Sequence, residues 1–247
     1  MKKIIIIILV LLLSLILAFS CYMIFSEVSQ SEKEKNDFEN LSEIIANPIE
    51  TEAPDEESPE EEVIHKRNLA PLFEQNPDCI GWIYIDGTSI DYPVVHTPYE
   101  PQKYLRMNFE GEYAMSGVPF LEGTRELTDD NIVIYGHNMK NGTMFSDLTN
   151  YVYKDYYKNH PVIEFETAEG VKYYDIFAVV IFKETDAWYY FDSAFDEEHF
   201  NEMIYDIKCR AAYETGVQPE YGRQIITLST CYGSKNEDRL VVIGTEQ

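Results

Sequence analysis

The chain has 247 residues and a formal net charge of -25, from 44 acidic and 19 basic side chains. A chain this acidic offers no basic stripe for phosphate groups, so nucleic acid is excluded as an expected partner. After a first segment of clearly different composition, the remaining length suits one globular domain.

Residues 1–25 are predicted to form a membrane anchor. Lys2 and Lys3 precede about twenty uncharged, mostly apolar residues, enough to cross a hydrocarbon core of roughly 30 Å. The two lysines favour a cytoplasmic N-terminus, which places the residues after Phe25 outside the cell. A cleaved signal peptide and a lipoprotein signal ending at Cys21 are the alternatives. The apolar run continues through CYMIF and Phe19 is bulky, so we expect the anchor to remain uncleaved.

Residues 26–63 are predicted to form an acidic stalk. The first part, to about Ala46, has the composition of a polar helix. The stretch after it is rich in acids and prolines and has too little apolar surface to offset the entropy of ordering. We expect a flexible, self-repelling tether there, with an acidic interaction tail as the alternative.

Residues 64–247 carry the pattern of a packed domain made mostly of strands. HKRNLAPLFEQNPD predicts a short helix that ends before Pro77. In GWIYIDGTSIDYPVV, β-branched and aromatic runs flank Asp86, Gly87 and Thr88, which predicts a β-hairpin. Further strands are predicted at GVPFLEG, NIVIYGH, VIEFET, VKYYDIFAVVIFK, QIITLST and RLVVIGT.

Two more helices are predicted within this strand pattern. GTMFSDLTNYV favours a short one, and SAFDEEHFNEMIYDIKCRAAYETG a long one. Ser193 with Asp196 resembles a capping box, and Gly216 marks a stop. Phe200, Met203, Ile204, Ile207 and Ala211 fall on one face of the long helix. Short strands with one long inserted helix favour a β-barrel or sandwich decorated by helices.

Cysteine use is too sparse for a complete disulfide framework outside the anchor. Cys21 lies in the anchor, and three remaining cysteines leave at least one thiol free. Cys79 and Cys209 lie in apolar-patterned segments and are interpreted as buried structural thiols. Cys231 instead ends a predicted strand beside small polar residues, a position suited to a reactive thiol.

A cysteine nucleophile reacts as the thiolate and needs a basic or cationic neighbour. Among five histidines, His137 leaves an apolar strand directly after Gly136 and enters a polar loop. Arg239 opens the strand after Cys231, and two antiparallel strands joined by YGSKNED bring it within reach of that cysteine. A guanidinium keeps its charge and suits a developing oxyanion, although a surface ion pair with Glu237 or Asp238 is the alternative.

These three residues, Cys231, His137 and Arg239, predict acyl transfer through a thioester. The spacings of histidine and cysteine match no metal-ligand pattern, and no glycine-rich phosphate loop is present. We therefore predict neither a metal nor a cofactor.

The segments around these residues resemble the sortase family of cell-wall transpeptidases. TLSTC is followed by Arg239 eight positions later, and NIVIYGHNM lies upstream. The resemblance covers about residues 64–247 and is nearest to class B, through YGHNMKNGTMFSDL, GWIYIDGTSIDYPVV and the placement of the predicted helices. It implies a closed barrel of about eight strands, with N-terminal helices and one long inserted helix.

Two features separate this chain from other patterns in the family. The proline-rich lid of pilin-polymerising members is absent. Class B members often carry an acid shortly after the cysteine, where this chain has Tyr232 and Gly233.

The resemblance also implies roles for individual residues. Cys231 would attack the threonine carbonyl of a C-terminal sorting signal, His137 would move the amine protons, and Arg239 would stabilise the oxyanion. A peptidoglycan amine would resolve the thioester at the Gram-positive cell surface. Tyr135 and Ser229 would line the peptide groove, or else pack as ordinary strand residues. A pilin-polymerising sortase, a secreted cysteine hydrolase and a non-catalytic surface barrel are the alternatives.

Overall fold

The structure is a computed structural model that describes residues 2–46, 65–233 and 238–247. Its strands are β1 Cys79–Tyr84, β2 Asp91–Val95, β3 Phe120–Leu121, β4 Asn131–Tyr135, β5 Val162–Thr167, β6 Gly170–Lys183, β7 Ile225–Tyr232 and β8 Asp238–Glu246. They close into one barrel in the order β1-β2-β3-β4-β7-β8-β6-β5. The predicted closed barrel of about eight strands is confirmed.

The strand pairings place the ends of distant segments side by side. β4 runs parallel to β7, with Tyr135 opposite Ser229. β7 and β8 are antiparallel neighbours, with Cys231 opposite Arg239. The predicted hairpin is also present, as β1 and β2 pair antiparallel across a turn in which Gly87 has a φ of 73°.

The helices are α1 Lys2–Ile45, α2 Ala70–Gln75, α3 Lys154–Asn159 and α4 Glu197–Arg210. α2 is the short helix predicted before Pro77. GTMFSDLTNYV forms a 3-10 helix, Phe145–Val152. Helix α4 covers the outside of the barrel with Phe200, Ile204 and Ile207, so β7 is buried on both faces up to Thr230. A strand held from both sides gives Cys231 a rigid base.

Both predicted ends of the long helix are wrong. The N-cap is Asp196, whose carboxylate accepts a hydrogen bond from the His199 amide at 2.9 Å, so Ser193 forms no capping box with Asp196. The helix ends at Arg210, well before Gly216. It stops there because the Ala212 amide donates to the Val179 carbonyl at 2.8 Å, which turns the chain onto β6.

Helix α1 joins the predicted anchor to the barrel without a break. Within the part of the chain that the structure describes, it is the one helix long and apolar enough to cross a membrane. The predicted polar helix after the anchor is present, but its last turns are packed. Phe38, Leu41 and Ile45 are buried in the main core.

A hydrogen-bonded contact fixes this packing. The Glu34 carboxylate accepts hydrogen bonds from the amides of Met115 and Ser116 at 3.0 and 3.1 Å. The packed unit thus includes residues that precede the predicted domain start at residue 64. The predicted flexible tether falls mostly on residues 47–64, outside the described residues.

Candidate active site

The parallel pairing of β4 with β7 sets the position of His137. The Gly136 amide donates to the Ser229 carbonyl at 3.1 Å, and the Thr230 hydroxyl donates to the Gly136 carbonyl at 2.7 Å. These bonds bring the residue after Gly136 to the end of β7, where Cys231 lies. His137 and Cys231, 94 positions apart in the chain, therefore meet at one end of the barrel.

The loop after His137 is tied to the cysteine strand. The Asn138 side-chain amide donates to the Cys231 carbonyl at 3.0 Å, and the Phe145 amide donates to the His137 carbonyl at 2.9 Å. Gly136 is required at this point because a Cβ there would lie 2.5 Å from the Phe145 ring. The absence of a side chain at Gly136 thus lets the backbone lie directly against an aromatic ring.

Arg239 reaches the site from the neighbouring strand β8. Its guanidinium contacts the Glu184 carboxylate at 3.1 Å and the Asp238 carbonyl at 3.2 Å. The Glu184 side chain is 70% exposed, and an ion pair this exposed contributes only about 0–1 kcal/mol. The alternative ion pair with Asp238 is replaced by a bond to its backbone, and Glu237 lies outside the described residues.

The imidazole of His137 is held by a backbone carbonyl. Its Nε2 lies 2.9 Å from the oxygen of Leu105, which belongs to the 3-10 helix Lys103–Arg106. Because a carbonyl can only accept, Nε2 carries a proton and Nδ1 is the basic nitrogen of the neutral ring. Burial lowers the pKa of His137 and nearby Arg106 lowers it further, while the bond to Leu105 opposes both effects.

All five predicted site residues line one cleft of about 370 Å³. Burial raises the pKa of Tyr135 to about 12, so its hydroxyl is a neutral hydrogen-bonding group. Ser229 is only 1% exposed, and its hydroxyl is hydrogen-bonded to the Tyr189 hydroxyl at 2.8 Å. Larger cavities of about 700 and 450 Å³ lie along helix α1, and another of about 550 Å³ lies on helix α4, all away from the cysteine.

Several groups at this site could not be predicted from the sequence pattern. Leu105 contributes only its carbonyl, Glu184 is one of many surface acids, and Tyr189 lies in a short 3-10 helix, Ala187–Tyr190. Each comes from a segment remote from the cysteine strand. Of these residues, only Tyr189 carried a sequence signal, because it is an aromatic residue beside a loop. The same signal is typical of core residues, so it did not identify a site residue.

The cysteines differ sharply in their surroundings. Cys79 is buried, and burial raises its pKa to about 12, which makes it unreactive at neutral pH. Cys209 is exposed, so the prediction that it is buried is wrong: it follows Tyr205 by four residues on the outer face of α4. Cys231 is half-buried at the cleft.

The described residues include no group of three or more histidine, cysteine or acidic side chains placed to hold a metal ion.

Comparison with known proteins decides the family. The family model described as the sortase domain matches residues 83–247. The chain belongs to the sortase family. Sortase B from Listeria monocytogenes is 35% identical over 181 residues, covering 71% of this chain and 72% of that protein. Sortase B from Staphylococcus aureus is 30% identical over 188 residues, covering 72% and 76%.

Solved structures agree with this assignment. A Staphylococcus aureus sortase B–substrate complex has a TM-score of 0.77 and 25% identity, covering 89% of this chain and 98% of that one. Clostridium perfringens sortase B has a TM-score of 0.67 and 28% identity, covering 73% and 100%. The protein is a sortase of the B type, a cysteine transpeptidase. A non-catalytic barrel is no longer a viable alternative.

Proposed function

We propose that this sortase cleaves a C-terminal sorting signal of secreted proteins after threonine and joins the threonine carbonyl to a peptidoglycan amine. The observation that carries the proposal is the meeting of Cys231, His137 and Arg239 at one cleft. A thiol, a proton carrier and a permanent cation are the groups that acyl transfer through a thioester needs.

In the first half-reaction, the Cys231 thiolate attacks the threonine carbonyl and a tetrahedral oxyanion forms. The Arg239 guanidinium donates hydrogen bonds to that oxygen, once substrate displaces its weak ion pair with Glu184. The carbon–nitrogen bond then breaks. His137 in its protonated form gives a proton to the leaving amine, and the acyl group remains on sulfur as a thioester.

In the second half-reaction, an amine attacks the thioester carbonyl. Neutral His137 accepts the amine proton at Nδ1, because Nε2 is bonded to Leu105. Collapse of the second oxyanion releases the Cys231 thiolate and leaves a new amide. Tyr135 supplies one wall of the peptide groove, whereas Ser229 acts from beneath it by holding Tyr189.

We further propose that residues 4–25 cross the cell membrane, with the N-terminus in the cytoplasm and the barrel outside. Support comes from the length and apolar composition of this part of α1, together with Lys2 and Lys3 before it. Outside the membrane the enzyme meets secreted proteins and wall precursors as they emerge.

The test uses protein lacking residues 1–25, a small library of sorting peptides and mass spectrometry. We expect cleavage after threonine, a thioester adduct on Cys231 and none in Cys231→Ala. Added hydroxylamine or a wall-peptide amine should increase peptide release and appear in the product. A rate of peptide release that no added amine changes would instead identify a hydrolase. A preference for a pilin lysine peptide as the acceptor would identify a pilin-polymerising enzyme.

A further inference from the structure

A loop of the barrel, residues 107–116, lies beside the outer end of the apolar helix. Lys33 of α1 contacts Glu112 of the loop at 3.8 Å, and Glu34 accepts hydrogen bonds from Met115 and Ser116. From these contacts the loop turns back toward the membrane end of α1. Tyr113 and the helix residues Tyr22 and Phe25 all line one cavity of about 450 Å³.

The length of the apolar segment sets the depth of this loop. Residues 4–24 of α1 extend about 31 Å at about 1.5 Å per residue, which matches a hydrocarbon core of about 30 Å. Tyr22 and Phe25 then lie at the outer boundary of that core. The headgroup layer beyond it is about 5–8 Å thick, which corresponds to residues 26 to about 30 of the helix. Ser26, Ser29 and Gln30 line the same cavity as Tyr113.

The tip of the loop has side chains suited to that depth. Tyr113 is 67% exposed and Met115 is 45% exposed, and the tyrosine hydroxyl donates to the methionine sulfur at 3.0 Å. An aromatic ring with one polar end partitions to the membrane interface. The charges around the tip are mixed: the Arg106 guanidinium donates to the Met115 carbonyl at 2.6 Å, Glu112 is paired to Lys33, and Glu110 and Asp37 lie nearby. The salt dependence of the contact therefore has to be part of its test.

We propose that Tyr113 and Met115 insert into the outer headgroup layer, giving the barrel a second membrane contact beside helix α1. The proposal rests on the membrane anchoring set out under Proposed function. The barrel would then be held against the bilayer at two points, through helix α1 and through the loop 107–116.

The test is quenching of tryptophan fluorescence by lipids with brominated acyl chains. The full-length chain is reconstituted in phosphatidylcholine vesicles, with tryptophan introduced singly as Tyr113→Trp, Tyr22→Trp or Tyr205→Trp. Trp82 and Trp188 are buried in the barrel and give the same background in each variant. Tyr205 is the control position, and it is 73% exposed on helix α4. Helix α4 packs on β6, and two strands of the barrel, β5 and β1, lie between β6 and β2.

We expect brominated lipid to quench the added emission of Tyr22→Trp and Tyr113→Trp but not that of Tyr205→Trp. Quenching at position 113 should persist in high salt, because the contact is apolar. Quenching at position 22 with none at position 113 overturns the proposal and leaves the anchor intact. Absence of quenching at both positions overturns the anchor as well. Loss of the signal at position 113 in high salt also overturns it, in favour of an ionic contact.

Discussion

The hydrogen bond to the Leu105 carbonyl orients the imidazole of His137. The carbonyl of Leu105 is in turn positioned by Gly117, which has a φ of 60°. A Cβ at Gly117 would lie 2.8 Å from the Leu105 oxygen and 2.5 Å from the Tyr104 oxygen. The absence of a side chain at Gly117 therefore keeps the carbonyl where the imidazole meets it.

We predict that Gly117→Ala lowers kcat by about 10–100-fold, since small displacements of a catalytic group have effects of that size. The nitrogen NMR spectrum of His137 should lose the signature of a proton fixed on Nε2. Gly111→Ala is the matched control, because Gly111 has a φ of 85° and no neighbour within 4 Å of a built Cβ. Equal rates and equal His137 spectra in the two variants would contradict a positioning role.

The lowered pKa of His137 has a consequence for stability. The group binds its proton more weakly in the folded than in the unfolded protein, whose histidine titrates near 6.5. The contribution of His137 to the free energy of unfolding is therefore fully present above about pH 6.5. It declines as the pH falls toward the folded pKa, because the unfolded state takes up the proton first. Urea unfolding from pH 7.5 to 5 should show a smaller decline in His137→Gln than in wild type. An equal decline in both would show that other groups dominate.

Cys231, His137 and Arg239 should behave as one unit. We expect Cys231→Ala to abolish thioester formation, His137→Ala to lower the rate severely, and Arg239→Ala to lower it by about 10²–10³, the cost of one oxyanion donor elsewhere. Glu184→Gln is the control for the arginine, since it removes the ion pair and keeps the guanidinium.

Groups that act together are not additive, so combining the histidine and arginine changes should be little worse than the poorer single change. Mass spectrometry of the thioester and steady-state peptide turnover provide the measurements. Near-normal turnover by the arginine variant would return Arg239 to a surface ion-pair role, and turnover by the cysteine variant would overturn the nucleophile assignment.

At the scale of elements, helix α1 packs beside the loop that follows His137. Phe38 packs edge-on against Tyr92 with ring centres 5.2 Å apart, and the Tyr92 hydroxyl accepts a hydrogen bond from the Met144 amide at 3.0 Å. Met144 is buried and has a φ of 59°, an uncommon conformation for a residue with a side chain. The end of α1 therefore supports the loop from outside the barrel.

We predict that protein lacking residues 1–25 is soluble, unfolds cooperatively and stays active, because Phe38, Leu41 and Ile45 remain. In that background, Phe38→Ala should lower the free energy of unfolding by about 3–5 kcal/mol, as for other buried phenylalanines. Tyr205→Ala, at an exposed aromatic on α4, is the control and should change little. Urea titration measures both. A Phe38→Ala effect as small as the control would show that α1 does not stabilise the barrel.

For the whole molecule, the acidity and the absence of a metal cluster in the described residues lead to one prediction. Chelators should leave the rate of the peptide reaction unchanged, because none of the proposed steps uses a metal. Calcium can associate loosely with so acidic a surface without taking part in catalysis. A large loss of rate with chelator that calcium restores would reveal a calcium site that the described residues do not show.

The sequence by itself determined the strands and the pairing of Cys231 with Arg239, whereas it left a barrel or a sandwich open, and the closed barrel followed from the resemblance to the sortase family. The strands and this pairing depend on local information: alternation within a strand, and one short connection between consecutive strands that forces them antiparallel. The position of His137 at the end of an apolar strand was also readable from local pattern. The ends of α4 were not, because the bond from Ala212 to Val179 on β6 decided where the helix stopped.

Only the tertiary structure decided what those strand ends face. The parallel pairing of β4 with β7, the carbonyl of Leu105 at the imidazole and the exposure of Cys209 all depend on contacts between segments remote in the chain. The same holds for the packing of Phe38, since an acidic helix with a few apolar residues gives no sign of a partner. Such contacts form only when remote segments pack together, and backbone groups and single side chains carry no periodic signal in the sequence that would predict them.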